Sequence, residues 1–253
     1  MIELSLIGIG AGNPEHLTLQ AIAAMNAADV ILSPRKGPEK DDLAGVRRAI
    51  CARHLKGATR LVEFDLPRRN AGNPDYHAEV DDWHNAIAAC WEEALQAAMP
   101  LGGRAGFLVW GDPALYDSTM RIAERLACRM DIKTRVIPGV TSIAALTAGH
   151  GIPLNMIGAS VLITTGRRLR DTGWPDGADT LLVMLDGACS FQVLDPAGIA
   201  IWWSAYAGME QEIRISGRLS ECAERIVATR SEARKRHGWI MDIYLLRRTG
   251  RRA

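Results

Sequence analysis

Neither sign of charge is in excess in this 253-residue sequence: 30 Lys and Arg stand against 29 Asp and Glu, a net charge of +1. That balance leaves no electrostatic footprint for nucleic acid or for an anionic membrane surface. The one basic cluster, Arg247, Arg248, Arg251 and Arg252, reads as a solvated tail. Cysteine is sparse as well. Cys51, Cys90, Cys128, Cys189 and Cys222 lie far apart and form no C-x-x-C pair, which argues against a zinc site or a disulfide framework, so no metal is expected. No apolar run approaches the roughly 20 residues of a membrane helix. The chain passes from Met1 directly into a strand pattern, Ile2 to Ile7, without a basic or long apolar leader. There is no repeat at a solenoid period and no low-complexity tract. A soluble, cytoplasmic protein with no membrane or nucleic-acid partner is the expectation.

What is present is an alternation of strands and helices. A strand over Ile2 to Ile9 runs into a glycine loop, and a helix from about Leu19 to Ala28 follows, with Thr18 placed to cap it. A second strand, Val30 to Leu32, comes at once, which makes a βαβ opening and implies a parallel sheet. Asp41 to His54 reads as a helix and Arg60 to Phe64 as a strand. Tyr76, Val80, Trp83, Ile87, Trp91, Leu95 and Ala98 recur at helical steps. The run Ala105 to Trp110 is a strand that breaks at Gly111-Asp112-Pro113, before a helical pattern from Tyr116 to Met130. Lys133 to Ile137 is a further strand and Thr141 to Ala148 a helix. The break at Gly149 to Pro153 marks an expected boundary between domains 1–152 and 153–253. Beyond it, strand-like runs at Ala159 to Thr164, Thr180 to Leu185, Ile199 to Ser204, Glu212 to Ser216 and Trp239 to Arg247 follow one another mostly without crossover helices. A mixed sheet is therefore expected there, with helices at Gly187 to Val193 and Ser220 to His237. The fold class is α/β: an N-terminal domain with a mostly parallel sheet and a C-terminal domain with a mixed one.

Gly8-x-Gly10-x-Gly12 after the first strand invites a dinucleotide-binding reading. The fingerprint, however, wants a third glycine where Asn13 stands and an acid at the end of the second strand, where Ser33-Pro34-Arg35 is found. What is distinctive is that three glycine or proline turns each end a strand in the same half: Gly8 to Pro14, Gly111-Asp112-Pro113, and Pro138-Gly139-Val140-Thr141-Ser142. Together they line one sheet edge and suggest a shared pocket.

These turns, in this order and spacing, resemble the tetrapyrrole methylase family, the class III S-adenosylmethionine (SAM) methyltransferases. The likeness is carried by Gly8-Ile9-Gly10-Ala11-Gly12-Asn13-Pro14-Glu15-His16-Leu17-Thr18-Leu19, Trp110-Gly111-Asp112-Pro113, Pro138-Gly139-Val140-Thr141-Ser142 and Leu182-Val183-Met184-Leu185, and spans nearly the whole chain. Departures are Ala11 for the usual proline, Asn13 for aspartate, Trp110 for a frequent glycine, and Ser204-Ala205-Tyr206 in place of Asn-Ala-Thr. A looser likeness, in Arg35-Lys36-Gly37, Asn70 to Tyr76, Val109 to Ser118 and Gly149 to Asn155, points to a branch that methylates a corrin precursor and hydrolyses off an acetyl group. The resemblance implies the tetrapyrrole methylase fold with its active site in a cleft between two domains, SAM as cofactor with S-adenosylhomocysteine as product, a small-molecule tetrapyrrole substrate, and a homodimer. Other members of the class, a different tetrapyrrole or diphthine-type methylase, and a non-catalytic nucleotide-binding α/β module stay as alternatives.

Carried over by position, the resemblance implies that Ala11, Trp110, Gly111, Asp112, Leu115, Thr141, Ser142, Met184 and Ala205 surround the cofactor. Asp112 would favour the cationic sulfonium by charge, or simply form its turn. A carboxylate-fringed disc needs cationic donors at its rim. Arg35 and Lys36, at the end of a sheet strand, are the first candidates, ahead of Arg68, Arg69, Arg167, Arg168 and Arg170, which fall in expected loops. Tyr116 is expected in the substrate pocket and, with Asp112, in the catalytic set. Removal of an acetyl group also needs a base, for which Asp65, His77, Asp82, His84 and Tyr116 are the candidates.

Overall fold

The structure, a computed structural model, describes residues 1–35, 41–67 and 76–249. The chain divides into two compact units, Met1–Val140 and Thr141–Ala253.

In the first unit the elements are β1 (Ile2–Gly8), α1 (Leu19–Ala27), β2 (Val30–Arg35), α2 (Asp41–His54), β3 (Arg60–Asp65), α3 (Tyr76–Ala98), β4 (Gly103–Val109), α4 (Thr119–Ala127) and β5 (Ile132–Ile137). The sheet order is β3-β2-β4-β1-β5, and every pairing is parallel. Strands β1, β2 and β4 are apolar almost throughout because helices cover both faces. Residues of α1 and α2 share one core with Ile7, Ile31, Leu108 and Ile137. Those of α3 and α4 share the other with Leu4, Leu6, Leu32, Phe107 and Val109. The chain thus leaves β1 toward one face and β4 toward the other, although the two strands are neighbours. That arrangement is a topological switch point, where loops diverge and leave a crevice at the carboxyl ends of the strands.

The second unit holds α5 (Ser142–His150), β6 (Val161–Thr165), α6 (Gly166–Thr172), β7 (Thr180–Met184), a 3-10 turn at Ser190–Val193, β8 (Ile199–Ala205), β9 (Ile213–Arg218), α7 (Leu219–His237) and β10 (Asp242–Arg248). Its sheet runs β6-β7-β10-β8-β9, parallel only between β6 and β7, which is the mixed sheet expected. Residues of α7 pack with Ile201, Trp203, Tyr244 and Leu246 on one face, and α5 packs against β8, β9 and β10.

Two differences from the sequence reading have physical causes. The division between units falls at Val140 and Thr141 rather than after residue 152, because α5 packs on the second sheet. The break at Gly149 to Pro153 is the end of that helix: Gly151 adopts φ 63° and its amide caps the carbonyls of Thr147 and Ala148. Helix α6 was not expected. It is only seven residues long, rich in arginine, and started by Thr165, whose hydroxyl accepts from the Arg168 amide.

Candidate functional site

At the switch point the ends of β1 and β4 leave the sheet together. The Ile9 amide donates to the Val109 carbonyl at 2.9 Å, and Gly10 and Gly111 then exchange two backbone bonds, 2.9 and 3.2 Å, as an isolated bridge. Both glycines are left-handed, φ 79° and 69°, which is the conformation the sharp turn demands. The third turn is pressed onto the first two. A Cβ on Gly8 would lie 2.5 Å from the Gly139 amide nitrogen, and one on Gly139 would overlap the Gly111 carbonyl oxygen. Above Gly111 itself no atom of the described residues lies within 4 Å of where a Cβ would project. Backbone packed this tightly on one side and open on the other is a cradle to which a ligand can come close.

Asp112 joins the turns. Its Oδ1 accepts from the Ala114 amide at 2.8 Å and its Oδ2 from the Gly139 amide at 2.9 Å. Both carboxylate oxygens are turned onto backbone, so the residue fixes the geometry of the second and third turns to each other. We expect Asp112→Ala to lower stability by about 1–2 kcal/mol, since two amides lose a charged acceptor. Urea unfolding of the variant beside the wild-type protein measures this. An unchanged midpoint would mean that water satisfies both amides equally well.

Other residues nominated from the sequence fall around these turns. Trp110 and Leu115 are half-buried, and Ala11 is buried. Tyr116 is 45% exposed with φ 49°, a left-handed conformation that costs a non-glycine residue energy and is characteristic of functional loops. Partial burial pushes its phenol above the ordinary value, so the hydroxyl keeps its proton near neutral pH and can donate a hydrogen bond. Arg35 is engaged with Asp65 through two bonds of 3.0 Å, both side chains exposed. Lys36, Arg68, Arg69 and the side chain of His77 lie outside the described residues. Of the other candidate bases, His84 is buried on α3 and Asp82 is exposed there. Among the described residues no group of acids, histidines and cysteines is arranged to hold a metal ion.

In the second unit, Thr141 caps α5 by accepting from the Ala144 amide at 3.3 Å, and Ser142 begins that helix. Strands β7 and β8 both run antiparallel to β10, which lies between them. The register sets Val183 beside Tyr244 and Ala205 beside Asp242, so both strands end near the start of β10. Met184 and Ala205 thereby share one edge. Each is followed by a left-handed residue, Leu185 at φ 54° and Tyr206 at φ 53°. Ala205 is fully buried, whereas Leu185 is 65% exposed.

What holds this edge is a buried polar network that the sequence reading did not single out. Asp186 accepts from the Ala188 amide (3.0 Å), the Ser190 amide (2.6 Å), the Ser190 hydroxyl (2.8 Å) and the Tyr244 hydroxyl (2.6 Å). A Cβ at Gly166 would overlap its carboxyl group. Arg230 donates to the Asp186 backbone carbonyl at 3.0 Å and to the Asp242 carboxylate at 2.9 Å, while Trp203 Nε1 donates to Asp242 at 3.0 Å. The turn after Met184 is thus tied to β8, β10 and α7.

Burial alone would raise the Asp186 carboxyl, but the bonds from Tyr244, Ala188 and Ser190 outweigh it and hold the group below its usual value. A depressed folded value means that its stabilisation is complete above the unfolded aspartate value, about 3.9, and is lost as pH falls through the lower folded value. Asp186→Asn should therefore cost about 1–3 kcal/mol at pH 7 and lose less additional stability than the wild-type protein on acidification to pH 3. Chemical denaturation at the two pH values tests this, and parallel pH dependence in both proteins would refute it.

Comparison with known proteins gives concordant findings. The sequence profile of the tetrapyrrole (corrin/porphyrin) methylases matches residues 3–223. A precorrin-6A synthase [deacetylating] from Sinorhizobium sp is 50% identical over 251 residues, 98% of this chain and 96% of that protein. Among solved structures, a cobalamin-synthesis-related protein (CobF) from Corynebacterium diphtheriae is similar at 36% identity and a TM-score of 0.83, covering 99% of this chain and 100% of that one. A uroporphyrin-III C-methyltransferase from Thermus thermophilus, in complex with S-adenosylhomocysteine, shares the fold at 22% identity and a TM-score of 0.58, covering 96% and 91%.

Proposed function

Because the chain belongs to the family of tetrapyrrole (corrin/porphyrin) methylases, we propose that it methylates precorrin-5 at C-1 and releases the C-20 acetyl group as acetate, giving precorrin-6A. The observation that carries this reading is the 50% identity, over 98% of the chain, to the relative that bears the corresponding name. It makes the protein a SAM-dependent methyltransferase of cobalamin biosynthesis.

SAM, leaving as S-adenosylhomocysteine, supplies an electrophilic methyl group. The residues present fit such a cofactor: in the first unit the backbone at Gly111 is open among the described residues, and in the second Leu185 exposes an apolar side chain. The S-adenosylhomocysteine complex of a protein of the same fold supports the choice. On this reading Ala11, Trp110, Gly111, Asp112 and Leu115 of the first unit and Thr141, Ser142, Met184 and Ala205 of the second form the cofactor site. Asp112 acts by holding the turns, and Ala205 by ending the strand beside Asp242. The first unit takes the tetrapyrrole, with Tyr116 donating a hydrogen bond to it and Arg35 and Lys36 assigned to its carboxylates. Methyl transfer to an electron-rich ring carbon depends chiefly on such positioning. A homodimer working in the cytoplasm completes the proposal. No helix among the described residues is long and apolar enough to cross a membrane.

A ligand that binds only the folded state must stabilise it. S-adenosylhomocysteine at a hundred times its dissociation constant should add about 2.7 kcal/mol, a thermal shift of about 5–10 °C for a protein of this size. NAD and ATP should add nothing. Stabilisation by either nucleotide with none by the homocysteine compound would overturn the methyltransferase reading.

A further inference from the structure

Arg35, the cation nominated from the sequence, is already paired with Asp65. A second arginine, which no motif singled out, is placed quite differently. Arg47 lies on α2 one turn before Ile50 and Cys51, which face the sheet in the core shared with Ile31 and Leu108. It is only 7% exposed. The pairing of β2 with β4 ends at Leu32 and Phe107, and the next residue of β2 but one is Pro34, which has no amide hydrogen. The carbonyl of Leu108 is met instead by Arg47 Nε at 3.1 Å.

That bond uses one of the five guanidinium N–H groups. Among the described residues it is the one hydrogen bond of the side chain. Asp117, in the loop after β4, acts on Arg47 by charge but spends an oxygen on the Thr119 amide at 2.6 Å. Burial pushes the guanidinium below its ordinary value and Asp117 recovers only part of that. Continued by one residue, the register carries Ser33 to the level of Leu108, on the same face as Ile31 and hence toward α2. Ser33 is fully buried, and its hydroxyl has no hydrogen-bond partner among the described residues. Among the described residues, then, a buried cation with most of its donors unspent and a buried hydroxyl without a partner both fall at the level of Leu108 on the α2 side of the sheet, an arrangement that is costly unless a ligand completes both.

We propose that Arg47 and Ser33 form a recess for a carboxylate at the carboxyl ends of β2 and β4, resting on the methylase reading above. Two sources share that chemistry: a side-chain carboxylate of the tetrapyrrole and the amino-acid end of the cofactor. A planar guanidinium suits either, since it meets both oxygens of a carboxylate at once.

The test measures two affinities in Arg47→Met, Arg47→Lys and Ser33→Ala: that of S-adenosylhomocysteine by calorimetry, and that of uroporphyrin III, a stable tetrapyrrole octacarboxylate, by quenching of tryptophan fluorescence. A recess for the tetrapyrrole predicts uroporphyrin binding at least tenfold weaker in Arg47→Met and severalfold weaker in Ser33→Ala, with the homocysteine compound unaffected. Lysine should restore only part of the loss. A recess for the cofactor predicts the reverse selectivity. Ser33→Ala removes a hydroxyl that has no partner among the described residues, so its melting temperature should be unchanged or raised, and it carries the test even if Arg47→Met fails to fold. Unchanged affinities for both ligands in Ser33→Ala, or in a folded Arg47→Met, overturn the recess and leave the methylase reading standing. Wild-type protein that does not bind S-adenosylhomocysteine defeats the reading on which the recess rests.

Discussion

Asp242→Ala is expected to lower the unfolding free energy by about 3–5 kcal/mol, the cost of leaving a buried charge without its partner. The Arg230 and Asp242 side chains are 12% and 5% exposed and meet at 2.9 Å. Burial alone would lower the Arg230 guanidinium, but the bond and charge of Asp242 hold it above its ordinary value. Removing the carboxylate strands that cation among Asp186, Cys189 and Trp203 and takes the acceptor from Trp203 Nε1. At about 2–4 °C per kcal/mol for a chain of this length, the melting temperature should fall by about 6–20 °C. Two controls give the result its meaning. Asp242→Asn keeps an acceptor for Trp203 and should be milder than alanine. Replacing the pair together, Arg230→Met with Asp242→Leu, should be milder than Asp242→Ala, because no charge is left uncompensated. Calorimetry of the four proteins decides it. A loss of under 1 kcal/mol in Asp242→Ala would show that water reaches Arg230 and that the network does not fix the turn after Met184.

Gly139→Ala should have the larger effect on ligand binding. The new methyl group would overlap the Gly111 carbonyl oxygen and crowd Gly8 as well. All of these are backbone atoms, so no side chain can rotate away. The third turn must move off the other two, breaking the bond from the Gly139 amide to Asp112. Overpacking of this kind costs about 1–3 kcal/mol, occasionally more. Because the displaced atoms belong to the proposed cofactor cradle, S-adenosylhomocysteine affinity should fall at least tenfold. Gly111→Ala makes the opposite comparison. Its Cβ meets no atom of the described residues within 4 Å, but φ is 69°, so its cost is backbone strain of roughly 1 kcal/mol together with obstruction of the ligand. Urea unfolding and calorimetry on the two variants separate crowding from obstruction. Wild-type affinity in Gly139→Ala would show that the junction is not part of the site.

The parts of this fold legible in the sequence are those where short-range chemistry and long-range packing agree. Strands β1, β2 and β4 stood out because burial on both faces makes them largely apolar, and the ends of β1 and β4 stood out because their turns need glycine. Helices α2 and α3 were read to their terminal residues, and the Thr18 cap is in place, with its hydroxyl accepting from the Ala21 amide at 3.0 Å. The parallel and mixed sheets followed from whether a helix separates successive strands. What was not legible depends on register. Asp186, Arg230, Asp242 and Tyr244 are scattered along the chain, and only the antiparallel pairing of β7 and β8 with β10 brings them together. Arg47 was hidden for a similar reason, since its role exists only because the pairing of β2 with β4 stops short of Leu108. Asp112 was legible as a turn residue, but the reach of its second oxygen to Gly139 depends on β1 lying between β4 and β5.

Mass spectrometry tests the proposed reaction directly. The purified protein should be given SAM and precorrin-5, with uroporphyrinogen III in a parallel sample. The expected result is gain of one methyl group and loss of the acetyl group by the corrin precursor, acetate appearing in equal amount, and no change in uroporphyrinogen. Methylation of uroporphyrinogen with precorrin-5 left intact would contradict it.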